Sequence, residues 1–135
     1  MVPGASILIV SCEATSRDRV AEIVRRCGFQ PTLCPTLSDA QTLIASGSFH
    51  CVFCSDTLPD CNLVSALKTL SAVTCGTPVI VLSHLADWEA CLEALNAGAF
   101  DYVACPPDAF ETERILRIAL GQTPHQPRRA SGAAA

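Results

Sequence analysis

The sequence predicts an α/β fold in which five strands and five helices alternate, (βα)5, as a doubly wound, five-stranded parallel sheet. Three observations carry this. Short, unbroken β-branched runs such as Ile7-Leu8-Ile9-Val10 read as strands covered on both faces. Between them lie amphipathic segments with apolar residues at i, i+3, i+4 and i+7. Each segment is closed by a glycine or a proline at the expected place. Right-handed crossovers then put helices on both faces of one open sheet.

The elements follow in order. After the first strand, Val20, Ile23, Val24 and Cys27 share one helical face, and Gly28 stops that helix. Gln30–Cys34 is a weaker strand, and Pro31 marks it as an edge. Ser38 or Asp39 caps a second helix carrying Ala40, Leu43 and Ile44, closed by Gly47. Cys51–Ser55 is the third strand, and Leu63, Leu67 and Leu70 line the third helix. Pro78 opens the strand Val79-Ile80-Val81-Leu82. Asp87 caps a fourth helix with Trp88, Cys91, Leu92 and Leu95 on its apolar face, ended by Asn96-Ala97-Gly98. A fifth strand covers about Phe100–Ala104, and after Pro106-Pro107 a last helix runs from about Asp108 to Leu120. Residues 1–121 read as one domain. Residues 122–135, rich in Pro, Gly and Ala without periodicity, read as a flexible tail or linker stub.

Composition narrows the function classes. Half of the 135 residues are hydrophobic and 16% are charged, which specifies a packed domain rather than a disordered chain. A formal net charge of −4 and no basic stripe argue against nucleic acid as a partner. No apolar run has the length of a membrane span, and the amino-terminal MVPGASILIV lacks the basic start of a secretion signal. Nine cysteines, an odd number scattered through strands and helices, read as small buried hydrophobes in a reducing cytoplasm rather than as a disulfide framework.

The order of elements resembles the receiver domain of bacterial response regulators, the CheY-like, flavodoxin-like fold. The resemblance covers about residues 5–120. It is carried by ILIV followed by a polar trio, LPD after the third strand, PVIVLS, ALNAGAFDYV and the proline after the fifth strand. It implies the sheet order 2-1-3-4-5, with a site at the carboxyl ends of the strands. In that family two acidic residues after the first strand help hold Mg²⁺, and an aspartate ending the third strand takes a phosphoryl group. A Ser or Thr ends the fourth strand, and a Lys precedes the proline after the fifth. The carboxylate is the nucleophile, and the metal spreads the charge of the transferring group.

Carried over position by position, the two acids fall on Ser11 and Cys12. The acceptor, four residues before Pro59, falls on Ser55, the hydroxyl on Ser83 and the lysine on Cys105. Four of these five positions are altered. The resemblance therefore implies a degenerate receiver without its phosphorylation site, with no cofactor and no enzyme activity, acting by protein–protein contact. Asp56 is a non-standard acceptor candidate, but a one-residue shift along a strand turns a side chain to the other face. Its bland reading is a loop carboxylate, capping or solvated. Ser55 has no evident base and reads as small polar filler. Glu13 offers one carboxylate where a magnesium site needs several.

Two further expectations concern regulation and partners. Ser83 and Tyr102 occupy the positions that move together when receivers switch. The resemblance implies a partner face formed by the fourth helix, fifth strand and fifth helix, here Trp88, Glu89, Glu93, Asp101, Tyr102, Arg114 and Arg117. The partner is then a kinase, an output protein or a second copy of the chain in a homodimer, and neither a membrane nor nucleic acid. A rival reading refits the strand-end pocket as a thiol redox or soft-metal site built from Cys12, Cys105 and His84. A small-molecule cleft is weaker, because Ser11–Ser16 has no glycine to let backbone amides cradle a phosphate.

Overall fold

A computed structural model describes residues 4–74, 76–84 and 88–121, together with the backbone but not the side chain of Trp88. Five strands, β1 (Ser6–Val10), β2 (Gln30–Cys34), β3 (Cys51–Ser55), β4 (Val79–Ser83) and β5 (Asp101–Ala104), form one parallel sheet in the order β2-β1-β3-β4-β5. Five helices alternate with them: α1 (Ala14–Arg26), α2 (Leu37–Ser46), α3 (Leu63–Thr74), α4 (Trp88–Asn96) and α5 (Ala109–Ala119). The order and the alternation are those the sequence implies, and β2, with its Pro31, lies at an edge. The expected Asp87 cap of α4 and the tail 122–135 lie outside the described residues.

Strand alternation divides the core in two. Ile7, Ile9, Cys51, Phe53, Ile80 and Leu82 pack with Val20 and Val24 of α1 and Ile115 and Leu116 of α5. Leu8, Val10, Val52, Cys54, Val79 and Val81 face the other way, against Ala40 of α2, Leu67 and Leu70 of α3 and Ala94 of α4. All five residues of β3, and all five of β4, are buried, as central strands of a doubly covered sheet must be. The alternation also decides where the strand ends point. Ser55 follows Phe53 toward α1 and α5, and Ser83 follows Val81 toward α4.

Two helix expectations need correction. Neither Ser38 nor Asp39 caps α2. Thr36 does, its hydroxyl accepting from the Asp39 amide at 3.1 Å, so the helix starts two or three residues earlier than expected. On α4, Cys91 and Ala94 are buried, but Leu92 and Leu95 are largely outward. A nine-residue helix meets the sheet along a narrow strip, and small side chains fill that strip.

The end of α1 shows why its glycine is needed. The Gly28 amide bonds the Arg25 carbonyl and the Phe29 amide bonds the Val24 carbonyl, at 2.9 and 3.1 Å, a Schellman closure. It requires φ of +89° at Gly28, where an added Cβ would meet no atom within 4 Å. The cost of a side chain there is conformational alone. Gly28→Ala is expected to lower stability by about 1–2 kcal/mol in urea denaturation. Gly47→Ala, at an ordinary extended φ with room for the methyl, is expected to change it little.

Candidate functional site

The carboxyl ends of β1, β3, β4 and β5 converge, and the residues there come from four connections. Ser11 leaves β1 fully buried, with its amide on the Cys34 carbonyl. Its hydroxyl accepts from the Glu13 amide at 3.2 Å, and its carbonyl takes the Arg17 guanidinium at 3.2 Å. Cys12 is exposed, its thiol on the Thr57 carbonyl at 3.4 Å. Glu13 is the N-cap of α1, accepting from the Ser16 amide at 2.8 Å. Hydrogen bonds from Ser16, hydroxyl first and amide second, hold its carboxyl below the ordinary range, and the His84 ring adds to this. Glu13 is therefore a helix cap. Ser11 and Cys12 bring no carboxylate, so this donor set does not fit a Mg²⁺ ion, which needs hard oxygen ligands.

Ser55 is fully buried. Its Oγ accepts the Thr57 amide at 3.1 Å, pairs with Thr57 Oγ1 at 3.1 Å and lies 3.3 Å from His84 Nδ1. The sequence shows no base for Ser55, whereas the structure sets an imidazole beside it. That nitrogen also lies 3.2 Å from Asp56 Oδ1. Both Asp56 oxygens already accept the His84 backbone amide, at 3.1 Å each, so Nδ1 carries the proton. A ring that donates at Nδ1 cannot take the Ser55 proton there. Ser55 remains a poor nucleophile.

Asp56 is not solvated: only 4% of its side chain is exposed. The ladder persists one residue past β3, with the Asp56 amide on the Leu82 carbonyl at 3.0 Å. Its side chain then turns to the face opposite Ser55. There it helps line a cleft of about 450 Å³ with Asn62, Leu63 and Val64 of the α3 end and Ala90 and Glu93 of α4. Of the two sequence alternatives, capping fits, the capped group being the amide just after β4.

Ser83 is buried, its hydroxyl 3.9 Å from the Cys91 thiol of α4. Tyr102 is half-buried against the α2–α3–α4 core. Cys105 precedes Pro106 through a cis peptide and packs against the α1–α5 core. Burial chiefly, with help from Asp56 and Glu13, pushes its thiol up, against a hydrogen bond with Ser16. Cys12 meets the β3–α3 connection and Cys105 meets α1, so each thiol of the expected redox pair has its own separate partner. Burial likewise raises Cys34 to about 11 and Cys51 to about 12. Among the described residues, no three His, Cys, Asp or Glu side chains are placed to hold a metal ion.

The expected partner face is only partly assembled. Glu89 and Glu93 are exposed on α4, and Arg114 is half-exposed and paired with Glu111 at 2.8 Å. Asp101 does not belong to a surface: it is 3% exposed, with Oδ1 accepting the Tyr102 amide at 2.8 Å. Arg117 lies on the other flank of α5, 5.7 Å over the Phe29 ring and bonded to Glu113. The side chain of Trp88 lies outside the described residues.

One residue of the LPD motif acts away from the pocket. Asp60 accepts the amides of Leu37 and Ser38 at 3.2 and 3.1 Å, closing the first turn of α2 from the β3–α3 connection. Desolvation opposes ionisation of its carboxyl, but the Ser38, Leu37 and own-residue amides together hold it below the ordinary range.

A five-stranded parallel sheet ordered β2-β1-β3-β4-β5, with polar residues gathered at its carboxyl edge, defines a flavodoxin-like α/β domain of the CheY type. The chain belongs to the response regulator receiver domain family, whose model matches residues 7–117, and so to two-component signalling. It is 32% identical over 114 residues to the regulatory protein AtoC of Escherichia coli, covering 84% of this chain and 25% of that protein. It is 26% identical over 117 residues to the transcriptional regulatory protein ZraR of Salmonella typhimurium, covering 87% and 26%. The chain thus spans about a quarter of the length of these curated relatives. Among solved structures, a two-component response regulator from Clostridium difficile superposes with a TM-score of 0.82 at 20% identity, covering 90% of this chain and 99% of that one. The receiver domain of NtrX from Brucella abortus gives 0.81 at 24%, covering 87% and 99%.

Two outcomes follow from this geometry. Asp56→Ala strands the part-buried His84 amide and is expected to cost about 1–3 kcal/mol in urea denaturation, more than Ser55→Ala. Asp60→Ala is expected to cost about 1 kcal/mol at neutral pH, as a lost helix cap does. Because the folded carboxyl is lowered, this stabilisation is present above the unfolded value of about 3.9 and is lost as pH falls through the folded one. Thermal melts of the variant and the wild type should converge in acid.

Proposed function

We propose that this receiver domain works without phosphorylation, as a non-enzymatic signalling module that acts through protein–protein contact. The observation that carries the reading is the acceptor position. A buried serine stands there, its hydroxyl occupied by Thr57 and His84. The flanking positions supply Ser11, Cys12 and Cys105 in place of the acids and the lysine. Nucleophile, metal ligands and compensating cation act as a unit in phosphoryl transfer, so their joint replacement removes the route rather than weakening it.

Asp56 supports the same conclusion. For it to accept a phosphoryl group, its carboxylate would have to release the His84 amide, which both of its oxygens hold. The raised Cys105 thiol, and the different partners that Cys105 and Cys12 take, argue against a redox pocket. Contact with a kinase, an output protein or a second copy is assigned to α4, β5 and the adjoining side of α5. The outward Leu92 and Leu95 supply apolar surface beside Glu89, Glu93, Tyr102 and Arg114. Ser83 and Tyr102 are the candidates for a surviving switch beneath that surface. No described helix is long and apolar enough to cross a membrane, and a cytoplasmic site of action is part of this proposal.

Incubation with a small acyl phosphate and Mg²⁺, followed by intact-mass measurement, is expected to show unmodified protein. A stoichiometric gain of one phosphoryl group that disappears in Asp56→Asn would overturn the reading and make Asp56 the acceptor.

A further inference from the structure

His84 is the residue of the strand-end pocket that the receiver resemblance leaves without a role. It follows Ser83, and its ring bridges two connections. Nδ1 donates toward Asp56 Oδ1 at 3.2 Å and Ser55 Oγ at 3.3 Å. Nε2 is closed off from solvent and, among the described residues, has no hydrogen-bond partner, yet Glu13 Oε1 lies only 3.8 Å away. In the neutral ring the proton belongs on Nδ1, because Asp56 is committed as an acceptor. Nε2 is then a bare lone pair facing a carboxylate oxygen, two acceptors with nothing between them. A second proton removes that conflict and gives the ring a positive charge between two carboxylates.

We propose that His84 is a proton-operated latch: protonation at Nε2 draws the Glu13 loop onto the β4 edge, so that the pocket responds to acidity. The imidazolium then holds together the β1–α1 and β3–α3 connections, which in the family are joined through a divalent cation and a phosphoryl group. Charged and titratable neighbours come from every element around the ring. Glu13 and the Cys12 thiol stand on the β1–α1 connection, and Arg17 of α1 is spent on the Ser11 carbonyl. Asp56 stands at the end of β3. Cys105, after β5, feels both carboxylates and has its thiol pushed up, which keeps it neutral. Glu93 of α4 shares the cleft on the far side of Asp56. Asp87 lies outside the described residues.

The latch rests on the reading of this pocket as one that takes no phosphoryl group. The mass measurement tests that reading, and a separate experiment tests the latch. The full chain, labelled with ¹⁵N, is followed by NMR from about pH 8 to about pH 5, where an imidazole changes charge. In the wild type the amides of Cys12–Ser16 are expected to shift in step with the His84 ring. Glu13→Gln, which keeps a capping oxygen for Ser16, is expected to lose the loop response while Asp56 and Thr57 still follow the ring. His84→Gln is expected to lose both, and His50 and His125 are common to every variant. Loop amides that ignore the ring in the wild type, or that still follow it in Glu13→Gln, would overturn the proposal.

Discussion

The carboxylate of Asp56 fixes how β3 and β4 end relative to each other. The hydrogen-bond ladder runs out at Ser55 and Leu82, and beyond it two chains leave the sheet in different directions. Asp56 extends the pairing by its own amide and then grips the first free amide after β4 with both oxygens. An unpaired amide at this depth would cost more than most single contacts return. The grip also sets the His84 backbone so that its ring turns inward, onto Ser55 and toward Glu13. The closed, largely self-satisfied pocket follows from that one commitment.

The replacements in the pocket are mutually consistent. A cluster of carboxylates at one sheet edge repels itself unless a cation is present. Here serine and cysteine take the acidic places and cysteine takes the basic one, so neither sign is left without its counterpart. The carboxylates that remain each have a local duty: Glu13 caps α1, Asp56 caps the end of β4 and Asp60 caps α2. Charge that would otherwise await a ligand is bound into the backbone. The chain keeps the receiver fold, matched over residues 7–117, while its strand ends are organised around a histidine.

Much of the fold was legible in the sequence because buried parallel strands and glycine stops leave strong local patterns. β1, β3 and β4 are continuous apolar runs, and Gly28 and Gly98 stand where helices must turn back. The site was legible only in part. The one-residue step from Ser55 to Asp56 could be read from strand alternation, but not that both side chains would reach one nitrogen of His84. The place of His84 could not be fixed, because it depends on a long-range contact between the ends of two strands. Its only local signal is that it follows Ser83. Thr36 and Asp60 as partners for α2 were hidden for the same reason, one lying outside the helical pattern and the other 22 residues away from the amide it takes. The resemblance puts Asp101 and Arg117 on a partner face, whereas burial and the Phe29 ring decide their places.

The connection from Asp56 to Asn62 is tied down along its length. Asp56 holds β4, the Thr57 carbonyl takes the Cys12 thiol, Asp60 holds α2, and Asn62 accepts the Ser65 amide at the start of α3. A segment anchored at four points to four different neighbours is a strut rather than a flap. Any molecule seeking Ser55 from this side has no hinge to open and must break several polar contacts together. The serine is thereby guarded by its tethered surroundings as well as by chemistry.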